Sequence, residues 1–167
     1  MEKKLFVTVG TTQFDTLIEA ISSKEIMEVL SNLGFTHVTL QTGRGKVQPK
    51  DNAGDKNHPS LTCYGLKNSI LEDVKAADLV ICHAGAGSIL DALGCNKKVL
   101  VVVNEELMGN HQTEVAEKLA KEHYLHFCGI SSLSDSLKNL DFSNLVPFPP
   151  GEPEKFASHL DQVLGFS

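Results

Sequence analysis

The sequence predicts an α/β fold in which a doubly wound parallel sheet of about six strands is covered by helices on both faces. Short apolar runs alternate with amphipathic helical patterns along the chain, which is the order that a parallel sheet with crossover helices requires. Two of these runs, residues 79–82 and 99–103, are apolar at every position. Continuous apolar runs are typical of strands that are buried on both faces.

The strand and helix patterns can be assigned to segments. The strand candidates are Leu5–Val9, His37–Gln41, Leu61–Tyr64, Leu79–Cys82, Val99–Val103 and Leu125–Cys128. Apolar residues from Leu17 to Leu33 follow roughly one helical face, and Gly34 marks the end of that pattern. Residues Ser69 to Glu72 predict a capping box that opens a short helix. A further apolar helical face runs from Val115 to Ala120.

The length of 167 residues suits one domain with its own core and is short for two. We expect residues 1–146 to form this domain. Residues 147–167 are expected to form a proline-rich linker and a C-terminal helix, in which apolar residues from Phe156 to Leu164 share a face. That helix would pack on the domain or on a partner.

The composition excludes several functions. The net charge is −6 and the basic residues form no stripe, so nucleic acid is not an expected partner. The four cysteines contain no CxxC pair, which argues against a zinc or thioredoxin-like site. The chain passes from Met1 into a predicted strand without an apolar leader, and no run approaches the length of a membrane span. We therefore expect a cytoplasmic protein.

Ligands of doubly wound sheets bind beyond the carboxyl ends of the strands, so the loops there are the candidates for chemistry. Gly10-Thr11-Thr12 follows the first predicted strand, and His83-Ala-Gly-Ala-Gly-Ser88 follows the fourth. Small residues at the start of a helix let backbone amides approach an anion such as pyrophosphate. Tight turns are the alternative for both loops, and His83 fits a structural role as well as a ligand contact.

Two other loops carry weaker signals. Arg44 lies between two glycines and is a candidate phosphate contact, although a solvated arginine fits equally well. Asn110, His111 and Gln112 precede a helix. Their amide groups could bond sugar hydroxyls, and N-capping by Asn110 is the alternative.

A rival hypothesis is NAD binding. Gly85-x-Gly87-x-x-Leu90 is a partial dinucleotide fingerprint, and Glu105 lies near the expected acidic position. Leucine replaces the third glycine, however, and the motif follows the fourth strand instead of the first. The sequence has no Asp-x-Asp motif for a metal–diphosphate, so neither a metal nor another cofactor is expected.

Taken together, four segments resemble a known family: Phe6–Thr12, Gln41–Gly45, Ala77–Ser88 and Asn110–Gln112. The family is the catalytic subunit of the two-part UDP-N-acetylglucosamine transferase of dolichol-linked oligosaccharide synthesis, the asparagine-linked glycosylation thirteen family. The likeness covers essentially the whole chain, including Pro149–Phe156. More distantly, the chain is similar to the C-terminal half of the bacterial lipid-linked peptidoglycan glycosyltransferase, a glycosyltransferase family 28 C-terminal domain.

This resemblance implies a Rossmann-like domain equivalent to the donor-binding half of a GT-B glycosyltransferase. The implied enzyme adds β1,4-N-acetylglucosamine from UDP-N-acetylglucosamine to N-acetylglucosaminyl-diphospho-dolichol, with inversion and without a metal. It would act only as a heterodimer with a membrane-anchored acceptor-binding subunit, at the cytosolic face of the endoplasmic reticulum. A non-catalytic nucleotide-binding module and an NAD-binding protein remain the alternatives.

The resemblance also implies residue roles. The loops after the first and fourth strands would face the donor diphosphate, and Asp91 would face the ribose. The backbone of Tyr64 to Leu66 would meet the uracil, and Gln112 with His111 would contact the sugar. The candidate substrate-binding residues are therefore Gly10, Thr11, Thr12, Tyr64, Leu66, His83, Gly85, Ala86, Gly87, Ser88, Asp91, Asn110, His111 and Gln112. Asp91 is one methylene shorter than the glutamate of the bacterial relatives. The catalytic base is expected in the partner subunit, and His83 is not assigned that role.

Overall fold

A six-stranded, wholly parallel sheet forms the centre of the molecule. The computed structural model describes residues 2–47, 49, 58–104 and 110–146, with only the backbone at 86 and 110–115. The strands are β1 Lys4–Thr8, β2 His37–Gln41, β3 Ser60–Tyr64, β4 Leu79–His83, β5 Lys98–Val103 and β6 His126–Gly129. Each strand end lies within one residue of its predicted position.

The strand order is β3-β2-β1-β4-β5-β6. The chain therefore builds outward from β1 to β3 and then returns to place β4 on the other side of β1. Leu5 of β1 is paired with Val38 of β2 on one side and Leu79 of β4 on the other. The space between the carboxyl ends of β1 and β4 is consequently the switch point at which such sheets bind ligands.

Helices cover both faces of the sheet, which confirms the predicted fold class. They are α1 Asp15–Ser22, α2 Lys24–Asn32, α3 Leu71–Ala76, α4 Ala86–Gly94, α5 Asn110–Lys121 and α6 Leu133–Lys138, the last preceded by a 3-10 turn at Ile130–Ser132. Successive residues of β1 point to opposite faces: Leu5 and Val7 pack with α1, α2 and α6, whereas Phe6 packs with α3, α4 and α5.

The apolar pattern from Leu17 to Leu33 forms two helices instead of one. Ser23 separates α1 from α2 because its backbone is extended, with φ −66° and ψ 153°. Its hydroxyl then accepts a hydrogen bond from the Ile26 amide at 3.3 Å and caps the second helix. The sequence pattern did not predict this break, because the apolar residues of the two helices continue the same periodicity.

The predicted capping box at Ser69 is wrong. Helix α3 begins at Leu71, and Ile70 occupies its N-cap position. Ser69 Oγ accepts from the Leu71 amide at 3.2 Å. A capping box would require Ser69 Oγ to accept from the amide of Glu72, one residue further along.

The two predicted segments of the chain, the domain at 1–146 and the linker with its helix at 147–167, differ in how far the structure describes them. The expected domain of residues 1–146 contains all the described residues, whereas the expected linker and helix at 147–167 lie outside them. None of the four cysteines, which all lie among the described residues, is in a disulfide, and burial raises the pKa of Cys82 to about 12. Cys82 is therefore a protonated core residue in β4.

Candidate functional site

A cavity of about 440 Å³ opens at the carboxyl edge of the sheet, at the switch point between β1 and β4. Its walls come from the ends of β1 and β2, the segment after β3, and the start of α4. The lining residues are Gly10, Thr11, Thr12, Gln41, Leu66, Lys67, Asn68, Ser69, Ile70, Leu71, His83, Gly85, Gly87, Ser88 and Asp91. The volume lies in the range of small-molecule sites, and we call this cavity the switch-point cleft.

The loop after β1 forms one side of the switch-point cleft. Gly10 has φ +66°, a left-handed conformation that glycine adopts without strain. Thr12 Oγ1 donates to the Val9 carbonyl at 2.9 Å and closes the turn. The Thr11 side chain is exposed at the cleft. Both threonines line the cleft, and Thr12 in addition holds the loop through its hydroxyl.

His83 lies between this loop and the loop after β4. A Cβ on Gly10 would come within 2.9 Å of His83 Nε2, and one on Gly85 within 2.1 Å of His83 Cε1. Ser88 Oγ lies 3.4 Å from the same Nε2 atom. Burial lowers the pKa of His83, so the imidazole is neutral near pH 7. A neutral imidazole in this place can donate one N–H toward the cleft.

Helix α4 begins at the cleft with its amino end. Gly85 is the N-cap residue in extended conformation, and no side chain caps the first turn. A Cβ on Gly87 would meet no atom within 4 Å, so the backbone there is open to an incoming group. The first amides of a helix carry a partial positive charge. This end of α4 is therefore suited to an anion.

The opposite wall follows β3. Leu66 is 54% exposed, and Lys67 Nζ lies 3.2 Å from Asp73 Oδ2 and 4.0 Å from the centroid of the Tyr64 ring. Tyr64 Oη donates to Asp73 Oδ2 at 2.5 Å. Burial is the main effect that raises the pKa of Tyr64, and the hydrogen bond and negative charge of Asp73 raise it further. Tyr64 supports the wall from behind and does not line the cleft.

Four polar lining residues of this cleft were not predicted from the sequence. Lys67, Asn68 and Ser69 lie on the wall after β3, and Gln41 ends β2. All four lie at or just after the carboxyl ends of predicted strands, and that position is the signal that could have found them. Ser69 was considered only as a helix cap.

Asp91 and Arg44 occupy different environments. Asp91 lies one turn after Gly87 on α4 and lines the cleft, where burial raises its pKa. Arg44 is exposed and is not among the lining residues, but its amide donates to the Thr12 carbonyl at 2.9 Å. Arg44 therefore borders the loop after β1 through its backbone, and phosphate contact by its side chain stays a prediction.

The predicted sugar-binding residues lie at the start of α5. The backbone of Asn110, His111 and Gln112 forms the first turn of that helix, and their side chains lie outside the described part of the structure. A second cavity of about 140 Å³ adjoins the cleft at His83 and extends to Asn104, the end of the described segment before α5. Sugar contact by this trio stays a prediction.

The described residues contain neither a membrane-spanning helix nor a metal-binding cluster. No helix there is long and apolar enough to cross a bilayer. Within the same ranges, the His, Cys, Asp and Glu side chains form no group of three that could hold a metal ion.

The comparisons with known proteins agree with the fold. Residues 4–163 match the Glycosyltransferase family 28 C-terminal domain. The chain is 47% identical over 132 residues to the mouse UDP-N-acetylglucosamine transferase subunit ALG13, covering 79% of this chain and 11% of that protein. It is 32% identical over 197 residues to the Saccharomyces cerevisiae subunit ALG13, covering 98% of this chain and 96% of that one.

Solved structures give the same result. The solution NMR structure of ALG13 has a TM-score of 0.72 and 29% identity over 96% of both chains. Acinetobacter baumannii MurG, with a TM-score of 0.63 and 17% identity over 97% of this chain and 46% of its own, shares the fold. The chain spans about a tenth of the mouse relative and nearly all of the yeast one. The chain therefore belongs to the glycosyltransferase family 28 C-terminal domains and, among them, to the ALG13 family of UDP-N-acetylglucosamine transferase subunits.

Proposed function

We propose that this chain is the donor-binding subunit of an inverting glycosyltransferase. It would hold UDP-N-acetylglucosamine in the switch-point cleft, and the enzyme would add β1,4-linked N-acetylglucosamine to N-acetylglucosaminyl-diphospho-dolichol. The observation that carries the proposal is the uncapped amino end of α4, which faces the Gly10 loop across the cleft. The names of the mouse and yeast relatives, subunits of a UDP-N-acetylglucosamine transferase, support this donor.

The diphosphate of the donor would lie against Gly85–Ser88. Backbone amides and the α4 dipole provide fixed positive charge there, and the open space at Gly87 leaves room for phosphate oxygens. Lys67 adds the only Lys or Arg side chain among the described residues that line the cleft. Fixed donors of this kind stabilise a departing UDP, whose charge grows as the glycosidic bond breaks.

The nucleoside would lie toward the wall after β3. The exposed Leu66 side chain offers an apolar surface to uracil, and Asp91 can accept hydrogen bonds from ribose hydroxyls. The sugar would extend past His83 toward Asn104 and the start of α5. His83 is partly buried and packs against two glycines, so we assign it to the floor of the site and not to proton abstraction.

The acceptor half of the enzyme would come from a second, membrane-anchored subunit, which would also bring the catalytic base. The word "subunit" in the relatives' names supports a partner. Such a partner would recruit this chain from the cytoplasm to the cytosolic face of the endoplasmic reticulum. We infer that the isolated chain binds the donor but transfers no sugar.

The test is co-expression with the presumed partner and an assay of transfer to a short lipid-diphosphate acceptor. We expect activity from the pair and none from either chain alone. Gly87→Asp should abolish turnover, and Gln112→Ala should reduce it strongly. Full turnover by both variants would reject the proposed site, and robust transfer by the purified single chain would reject the need for a partner.

A further inference from the structure

Gln41, the last residue of β2, makes an unusually complete set of hydrogen bonds beneath the cleft. Its side chain is 1% exposed. Its Oε1 atom accepts from the amides of Val9 at 3.2 Å and Gly10 at 3.0 Å, and from Thr8 Oγ1. These three donors all belong to the end of β1 and the turn that follows it.

The amide nitrogen of Gln41 points the other way along the same edge. Nε2 donates to the Gly10 carbonyl at 2.7 Å and to the Gly65 carbonyl at 2.8 Å. The carboxamide cannot be flipped, because its oxygen faces three donors and its nitrogen faces two acceptors. The Gln41 side chain therefore bonds both the amide and the carbonyl of Gly10. Its nitrogen also bonds the carbonyl of Gly65, the first residue after β3.

This bridge joins two parts of the cleft that the sheet keeps apart. β1 and β3 are not neighbours, since β2 lies between them. Gly10 lines the cleft on the side of α4, and Leu66 follows Gly65 on the opposite wall. The Gly43 amide also donates to the Gly65 carbonyl at 3.1 Å. Among the described residues, however, this amide donates no hydrogen bond to the Gly10 loop.

We propose that Gln41 is a positioning residue for the donor, because its carboxamide fixes the Gly10 loop relative to the Gly65–Leu66 segment. The inference rests on the proposed function, in which these two elements face the diphosphate and the nucleoside. Gln41 makes both elements rigid before the ligand arrives. Preorganisation of this kind raises affinity by removing an ordering cost from binding.

Gln41→Glu is the sharpest test because it keeps the shape of the side chain. When ionised, the new carboxyl group would place an oxygen against the Gly10 and Gly65 carbonyls, where the native nitrogen donates. Burial and these two carbonyl dipoles raise the pKa of such a carboxyl group, whereas the three donors at its other oxygen act in the opposite direction. Protonation restores one donor, so the defect should diminish as the pH falls.

The test is a calorimetric titration of each variant with UDP at several pH values. The quantity compared is the ratio of the variant's UDP affinity to that of the wild type at the same pH. We expect a ratio of about one tenth or lower near pH 7.5 that recovers to within about threefold near pH 5.5. Asn32→Asp makes the same amide-to-acid change at an exposed position outside the cleft and is the matched control. Its ratio should stay near one at both pH values.

A ratio near one for Gln41→Glu at both pH values would overturn the inference, and so would a ratio that falls further as the pH drops. If the wild type does not bind UDP, the proposed function fails instead. If Gln41→Glu does not fold, the side-chain amide of Gln41 in the 15N-labelled wild type provides the answer. Its resonances should shift with uridine alone and with pyrophosphate alone, and a shift with neither would overturn the inference.

Discussion

The imidazole of His83 occupies the space where a side chain on Gly85 would lie, since a Cβ there would come within 2.1 Å of His83 Cε1. The glycine and the histidine therefore depend on each other. His83 can take its partly buried position at the end of β4 only because the residue two positions later has no side chain. The loop after β4 is thus glycine-rich for two reasons, close packing at Gly85 and open access at Gly87.

Gly85→Ala should displace the His83 ring and destabilise the fold. Overpacking of this kind costs about 1–3 kcal/mol in the free energy of unfolding, to be measured by chemical denaturation. Gly94→Ala, on the same helix, is the control because a Cβ there meets no atom within 4 Å. It should leave stability unchanged or raise it by less than about 1 kcal/mol. Equal stability of the two variants would contradict the packing described here.

Gly87→Asp should separate folding from binding. The space beyond Gly87 is open, so we expect unfolding within about 0.5 kcal/mol of the wild type. A carboxylate at this helix start would repel a diphosphate at short range, and UDP affinity should fall at least about tenfold. Gly87→Ala supplies the uncharged comparison and should lose less. Unaltered UDP binding by the aspartate variant would place the diphosphate elsewhere.

The stability of the chain should depend on pH through His83. Its pKa in the folded protein lies below the ordinary 6.5 because burial disfavours the imidazolium. As the pH falls below 6.5, the unfolded chain binds a proton that the folded one does not. The stabilising contribution is therefore present above 6.5 and is lost toward the folded pKa.

His83→Gln is the variant that isolates this contribution. Between about pH 7 and pH 5, its free energy of unfolding should decline less steeply than that of the wild type. Denaturation curves at several pH values measure both slopes, whatever the absolute stability of the variant. Identical slopes would show that the imidazole is not buried in its neutral form.

Lys67→Ala should affect binding more than stability. Its ammonium is half exposed and pairs with Asp73, and a pair of this kind contributes at most about 1 kcal/mol. The loss of positive charge from the cleft wall should weaken the binding of UDP by roughly 3- to 10-fold. The binding of uridine, which carries no phosphate, should weaken less. Lys75→Ala, on an exposed part of α3, is the control. Equal effects of the two variants on UDP would exclude Lys67 from the site.

The fold could be predicted from the sequence because its signal is local and repeated. Buried parallel strands produce apolar runs such as Leu79–Cys82, and their carboxyl ends place Gly10 and His83 on one edge once the sheet is parallel. The division at Ser23 could not be predicted, because the residues on either side of it continue the same apolar periodicity.

The site was only partly predictable. Small-residue loops carry a visible pattern, whereas Gln41 gains its significance from contacts with segments that are distant in sequence. Lys67 lines the cleft because the folded sheet places the segment after β3 there. Gln41 looks like an ordinary strand residue until Gly10 and Gly65 are brought to either side of its carboxamide. The Tyr64 hydroxyl is bound to Asp73 behind the wall, and contact between the Tyr64 backbone and uracil stays a prediction.

The central claim is that the start of α4 and the Gly10 loop together hold the diphosphate of a UDP-sugar. Titration of the 15N-labelled chain with UDP, followed residue by residue in NMR spectra, tests it most directly. We expect the largest amide shifts at Gly10–Thr12 and Gly85–Ser88, with smaller ones after β3. Shifts centred instead on the groove at the opposite edge of the sheet, around Phe35 and Leu137, would contradict it.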